Sequence, residues 1–138
     1  MKNFTKSIIA GIVATLIMSI FMMIAAMIGM PKMSPPEMLS GMMGASIVVG
    51  WILHFVIGII FALMYVYIIS SWLIKIGNIV LKGVVFGIIA FVIAQVSMAL
   101  MGMVMDVPQP DGNIILLAIG SLVGHIVFGI IVALIAKK

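Results

Sequence analysis

Residues 50–58 read GWILHFVIG, and residues 121–129 read SLVGHIVFG. Each stretch places a histidine inside a long apolar run, with a small residue one helical turn before it and a glycine one turn after it. His54 and His125 are the only histidines of the protein. Ionisable groups are costly in hydrocarbon, so each imidazole is expected to have either a polar partner or a functional role.

The composition around the two histidines is that of a membrane protein. The chain of 138 residues is 66% hydrophobic and only 7% charged, whereas soluble domains carry about 25% charged residues. Four apolar runs cover about residues 7–30, 45–70, 78–104 and 114–136. Each run reaches the roughly 20 residues that a helix needs to cross a bilayer. The predicted fold class is therefore all-α, a single bundle of four transmembrane helices over residues 1–138.

The lysines predict the orientation of this bundle. Six of them fall at the end that holds both chain termini: Lys2, Lys6, Lys75, Lys82, Lys137 and Lys138. Lys32 falls at the opposite, outer end together with the three carboxylates of the chain. The positive-inside rule then places both termini in the cytoplasm. Because the lysines are spread along the chain, the sequence predicts no nucleic-acid partner.

The two histidine stretches belong to a predicted internal repeat, with repeat one at about residues 6–70 and repeat two at about 78–138. An offset of 76 carries Lys6 and Gly11 onto identical residues. An offset of 71 does the same for His54 and Gly58. Each repeat has two spans, so both enter the membrane the same way up. These parallel repeats predict a pseudo-two-fold axis along the membrane normal, with the histidines at one depth.

A short interfacial helix is predicted in the first outer loop, at about Pro35 to Met43. Ser34 and Glu37 have the spacing of a capping box, in which Ser34 caps the Glu37 amide and Glu37 reaches back to the Ser34 amide. Pro35 occupies the first helical position, which favours helix initiation.

The candidate cofactor site consists of the histidines and the small residues on their helix faces: His54, His125, Gly50, Gly58, Ser121 and Gly129. In one interpretation the imidazoles bind one b-type haem or one metal ion between the second and fourth spans. In another, each histidine hydrogen-bonds a neighbouring helix and the glycines pack helices closely. The available partners are then Thr15, Ser19, Gln95 and Ser97. A third interpretation is a pathway for protons or a substrate.

Most of the 15 methionines map to the outer half of the spans or to the outer loops. Thioethers are soft ligands that suit Cu(I), so one interpretation of the pattern is a copper entry route above the histidines. The weaker predicted metal ligands are Met22, Met27, Met98 and Met103. The alternative is that methionine serves as a flexible apolar filler.

Other chemistry has little support in the sequence. The chain has no cysteine, which excludes disulfides, thiolate metal sites, iron–sulfur clusters and covalent c-type haem. The carboxylates and the histidines fall at different depths, and no glycine-rich phosphate loop is present. No enzymatic activity is expected.

The whole chain resembles a group of small, uncharacterised bacterial membrane proteins with four spans. The shared features are an opening helix of the K-G-x-x-A-G type, here KSIIAG at residues 6–11, an outer loop with methionine and proline, and H-x-x-x-G in the second and fourth spans. The resemblance implies a multi-pass protein of the bacterial inner membrane and no particular activity.

The predicted function is a small membrane module that holds haem or a metal ion between the histidines, as an accessory subunit of a larger complex. A small oligomeric transporter or channel component and a purely structural subunit are the alternatives. The expected partners are the lipid bilayer and either further copies of the chain or a larger membrane complex.

Overall fold

A computed structural model describes residues 2–108 and 110–137. Six helices follow one another: α1 (Lys2–Met27), α2 (Pro35–Met43), α3 (Ile47–Met64), α4 (Ser70–Trp72), α5 (Ile79–Met101) and α6 (Ile114–Ile135). A π-helical segment, Tyr65–Ile69, joins α3 to α4 without a break. The described residues form no strand. The orientation prediction also used Lys138 and the side chain of Lys2, which lie outside this description.

Four helices are long and apolar enough to cross a membrane, namely α1, the continuous helix Ile47–Trp72, α5 and α6. The predicted fold class, a helical membrane protein with four spans and one shorter helix, is confirmed. Large apolar side chains such as Ile12, Leu16 and Ile20 project from the outside of the bundle. Such a surface suits contact with lipid, where no polar covering is needed.

The two chain termini lie at the same end of the bundle. Lys6 Nζ donates a hydrogen bond to the Lys137 carbonyl over 3.4 Å, which joins the start of α1 to the end of the chain. We call this end the terminal face. At the opposite end, the loop face, the two outer loops meet: a Cβ built on Gly41 would lie 2.8 Å from Pro108 Cγ. The structure contains no membrane, so the cytoplasmic location of the termini stays a prediction.

Side-chain caps set the starts of several helices. Asn78 and Asn113 each accept hydrogen bonds from two backbone N–H groups at the starts of α5 and α6. Ser34 caps α2 by accepting from the Glu37 amide over 3.4 Å, as predicted. The reciprocal half of the predicted capping box is wrong, because the Glu37 carboxylate accepts from Lys32 Nζ over 2.8 Å instead. An ion pair with a nearby lysine replaces the bond to the Ser34 amide.

The spanning helices are arranged around α1, which packs against both α3 and α6. Helix α5 packs against α6, and α2 packs against α3. An aromatic cluster fills the half of the bundle nearer the terminal face. The Phe86 ring of α5 lies 4.8 Å from that of Tyr65 and 6.2 Å from that of Phe128, measured between centroids. His54 and His125 therefore lie in the half nearer the loop face, because both precede this cluster along helices that enter from that side.

Glycines allow the closest helix contacts, and they reveal a shift of register. A Cβ built on Gly11 would lie 2.6 Å from Ile59 Cα, and one built on Gly83 would lie 2.5 Å from Ile130 Cα. The packing counterpart of Gly11 is thus Gly83, one helical turn before the Gly87 that the sequence offset of 76 predicts. The duplication itself stays a prediction.

Candidate functional site

His54 projects from α3 toward α1 and is only 8% exposed. Its Nε2 lies 3.2 Å from Ser19 Oγ, and the Ser19 hydroxyl also lies 2.8 Å from the Thr15 carbonyl oxygen. A carbonyl oxygen can only accept, so the single hydroxyl proton of Ser19 is directed to Thr15. Ser19 Oγ therefore accepts from His54 Nε2–H. This assignment leaves a lone pair on His54 Nδ1, which forms no hydrogen bond within the described residues.

His125 holds its proton on the other ring nitrogen. Its Nδ1 lies 2.7 Å from the Ser121 carbonyl oxygen, one turn earlier on α6, so Nδ1–H must donate. His125 Nε2 then carries the lone pair, and it forms no hydrogen bond in the part of the chain that the structure describes. The half-buried ring meets the Phe91 ring of α5 edge-on, with centroids 5.8 Å apart.

His54 and His125 lie at similar heights along the bundle, because Ser19 of α1 contacts His54 while the Cε of its neighbour Met18 lies 3.4 Å from a Cβ built on Gly124, the residue before His125. His54 lies against α1, and His125 lies against α5. We call the region between them the histidine seam. The histidine seam presents two ring nitrogens with free lone pairs, His54 Nδ1 and His125 Nε2, in a hydrophobic surrounding.

Hydroxyl groups lie along one face of α1, and Ser19 among them contacts His54. The buried polar side chains of the described residues are Ser7, Thr15, Ser19 and His54. Thr15 is 1% exposed, and its Oγ1 has no hydrogen-bond partner among the described residues. This hydroxyl points at Gly58 of α3, where an added Cβ would collide with it. A buried, unsatisfied hydroxyl costs folding free energy, so its presence requires an explanation.

The predicted small-residue positions are filled by neighbouring helices. The Pro36 carbonyl of α2 occupies the place that a Cβ on Gly50 would take. Gly58 faces Thr15 of α1, and Gly129 faces Gly83 of α5. These glycines serve close helix packing, and their vacant Cβ positions leave no space for a flat ring.

Ser121 has two hydrogen-bonding roles at this site. Its carbonyl accepts from His125, and its Oγ accepts from Gln95 Nε2 over 3.4 Å. Ser121 therefore orients His125 from the same helix. Gln95 donates its hydrogen bond to the Ser121 hydroxyl rather than to a histidine.

The structure separates the four predicted metal-binding methionines. Met22 is buried, and its Sδ would lie 3.0 Å from a Cβ on Gly124, the residue before His125. Met27 and Met103 are 84% and 83% exposed and project away from the histidine seam. Met98 is half-buried on α5.

Met18 was missed in the sequence, although it accompanies Met22. It is 6% exposed, and its Cε would lie 3.4 Å from the same Gly124 Cβ. The signal that indicates it is the spacing of four residues between Met18 and Met22, which places both thioethers on one face of α1.

No group of three or more histidine, aspartate or glutamate side chains that could hold a metal ion occurs within residues 2–108 and 110–137. A metal site at the histidine seam would therefore need thioethers to complete its ligands. The carboxylates of the outer loops lie at the loop face, away from both imidazoles.

Fold and site together define the class: a small, multi-pass, all-helical protein with four candidate membrane spans and two histidines, one buried and one half-buried, in one half of the bundle. The chain belongs to a family of unknown function, DUF6789, whose sequence model matches residues 1–138. The expectation of an uncharacterised family that covers the whole chain is thus confirmed. No match to the chain was found among curated proteins or among solved structures.

Proposed function

We propose that this protein is a non-enzymatic membrane module that binds one metal ion at the histidine seam. The supporting observation is the pairing of each imidazole. His54 donates its N–H to Ser19 Oγ, and His125 donates its N–H to the Ser121 carbonyl. Metal-binding histidines almost always donate the second ring N–H to an oxygen in this way, which fixes the tautomer and directs the free lone pair at the metal.

A metal ion suits the packing better than b-type haem. The haem hypothesis requires space for a flat ring beside Gly50, Gly58 and Gly129, and helices α2, α1 and α5 occupy those places. An ion bound to two nitrogens and nearby thioethers needs only the room between side chains. The visible absorbance spectrum in the experiment below distinguishes the two ligands.

The proposed location is the bacterial inner membrane, with both termini in the cytoplasm. Lys75, Lys82 and Lys137 cluster toward the terminal face, which supports that orientation by the positive-inside rule. The exposed apolar faces of the spans support contact with lipid and with a further membrane subunit, either a second copy or a larger complex.

The test measures metal binding by the purified protein in detergent. Cu(I) is supplied under reducing conditions in competition with a chromogenic chelator, and an absorbance scan records any Soret band. We expect one equivalent of Cu(I) to bind the wild type, and His54→Ala and His125→Ala each to weaken the affinity by at least about tenfold. Ser97→Ala removes an exposed polar group on α5 and serves as the matched control.

Unchanged binding in both alanine variants, or binding of neither Cu(I) nor Zn²⁺ by the wild type, would overturn the proposal. A Soret band lost in either variant would identify haem as the ligand instead. Thermal unfolding of each variant, followed by circular dichroism, establishes that the compared proteins are folded.

One observation favours a second candidate function, a small oligomeric transporter component. Ser7, Thr15 and Ser19 form a column of buried hydroxyls along α1, and Thr15 Oγ1 lacks a protein partner among the described residues. Polar side chains inside a membrane protein commonly line a pathway for protons or a substrate. Proton flux in liposomes without bound metal would favour this candidate.

A further inference from the structure

We infer that the bound ion is Cu(I), and that it reaches the histidines from the loop face along four methionines: Met30, Met33, Met22 and Met18. We call these residues the thioether ladder. This inference rests on the proposed function, because it specifies the ion and its entry route for the same histidine seam.

The thioether ladder follows one face of α6. Gly120 and Gly124 are four residues apart, so they lie on that face about 6 Å apart along the helix axis. A Cβ built on Gly120 would lie 2.5 Å from Met33 Cε and 3.4 Å from Met30 Cε. A Cβ built on Gly124 would contact Met22 Sδ and Met18 Cε in the same way.

The ladder connects the loop face to the histidine seam. Met30 and Met33 lie in the connection between α1 and α2, at the loop face. Met22 lies in α1, nearer the terminal face than Met30 and Met33. It contacts Gly124, which immediately precedes His125. Met18 is one turn further, next in sequence to Ser19, the partner of His54. Consecutive pairs of thioethers thus lead from the outer loops to the level of both imidazoles, one residue from Ser19 on α1 and one residue from His125 on α6.

The ligand chemistry selects the ion. Thioethers and imidazoles are soft or borderline neutral ligands, which favour Cu(I) over Mg²⁺, Ca²⁺ or Mn²⁺. The described interior offers no carboxylate, and the chain has no cysteine, so a hard divalent ion would find no anionic ligand there. A monovalent ion also carries a smaller desolvation penalty than a divalent one, since that penalty rises steeply with charge.

Methionine as a simple apolar filler is the competing explanation, and leucine tests it. Methionine and leucine have similar volumes, so the exchange costs little packing energy and removes only the sulfur. Exposed methionines nearby in the chain provide matched controls. Met23 is 63% exposed beside Met22, and Met43 is 56% exposed on α2.

The experiment compares Met22→Leu and Met33→Leu with Met23→Leu and Met43→Leu. Purified proteins receive Cu(I) from a chromogenic chelator, and the affinity and the loading rate are recorded; Zn²⁺ is tested in parallel. We expect Met22→Leu to weaken Cu(I) binding by at least about tenfold. Met33→Leu is expected to slow loading severalfold while leaving the affinity nearly unchanged, because Met33 contacts Gly120 rather than Gly124. Both controls should match the wild type.

The outcomes separate the two proposals. If Met22→Leu and Met33→Leu behave like their controls while the histidine variants still lose Cu(I), the thioether ladder is overturned and the metal-binding module stands. Preferential binding of Zn²⁺ would also overturn the inference alone. If the wild type binds no metal, the proposed function itself fails.

Discussion

His54 and His125 satisfy the same requirement with different partners. His54 donates across to the Ser19 hydroxyl of another helix, whereas His125 donates to the Ser121 carbonyl of its own helix. The register shift explains the difference. In the packing of α5 against α6, the residue facing His125 is Phe91, one turn before Gln95. An aromatic ring cannot accept as a hydroxyl does, so His125 bonds to its own backbone.

A pair of variants on α1 tests the hydrogen-bond assignment. Thr15→Val keeps the side-chain shape and removes a hydroxyl that has no partner in the described part of the protein. We expect the free energy of unfolding to stay unchanged or to rise by up to about 1 kcal/mol. Ser19→Ala leaves the His54 N–H without its acceptor and is expected to cost about 1 kcal/mol, the scale of hydrogen bonds inside membrane proteins.

The measurement is the midpoint of unfolding in mixed detergent micelles, with Ser97→Ala as the control for loss of an exposed hydroxyl. An equal loss of stability in Thr15→Val and Ser19→Ala would show that Thr15 has a partner, such as a bound water, and would contradict the assignment.

At the scale of elements, α2 depends on a single glycine for its position. Pro36 of α2 directs its carbonyl at Gly50 of α3, so that no side chain fits between the two helices. Gly50→Ala is therefore expected to displace α2 from α3. Met42 lies on the buried side of α2 and is 7% exposed, so a cysteine introduced there reports the displacement. Because the chain has no native cysteine, a Met42→Cys protein carries one reactive thiol.

The readout is the rate of maleimide labelling. Met42→Cys should react slowly in the otherwise wild-type protein and several times faster when Gly50→Ala is added. Gly77→Ala is the matched control, because no atom lies within 4 Å of its added Cβ. Equal labelling rates with and without Gly50→Ala would mean that α2 adapts to the extra methyl group, and the prediction would be wrong.

Local signals predicted the elements, and they could not predict the register between them. The apolar runs indicated four spans, and Ser34 with Pro35 indicated a helix whose observed bounds are Pro35–Met43. A slip of four residues keeps nearly the same helix face, so the sequence could not distinguish Gly83 from Gly87 as the contact residue. The sequence offset of 76 likewise carries Ser19 onto Gln95, whereas Phe91 is the residue of α5 that faces His125.

At the scale of the whole molecule, the two halves of the bundle have different roles. The half nearer the terminal face is closed by the ring cluster of Tyr65, Phe86 and Phe128. The other half holds both histidines beneath the methionines and the outer loops. A ligand would therefore enter from the loop face. The side of the membrane on which that face lies decides which compartment supplies the ligand.

Two single cysteines test that direction, one at each end of the bundle. Asp111→Cys lies in the second outer loop, and Gly77→Cys lies between α4 and α5 at the terminal face. Lys32 is paired with Glu37 over 2.8 Å, so the loop face carries no lysine without a counter-ion among the described residues. The positive-inside rule then predicts that an impermeant maleimide added to intact cells labels Asp111→Cys at once. Gly77→Cys should react only after the membrane is permeabilised.

Val132→Cys provides the control for these cells, because residue 132 is fully buried and should react in neither condition. The reverse pattern, with Gly77→Cys labelled from outside, would show that the loop face opens to the cytoplasm. In that case the thioether ladder would still lead toward the histidine seam, since it depends on the contacts that α1 and the α1–α2 connection make with α6. The metal would then come from the cytoplasm, where Cu(I) is the form favoured by the reducing environment.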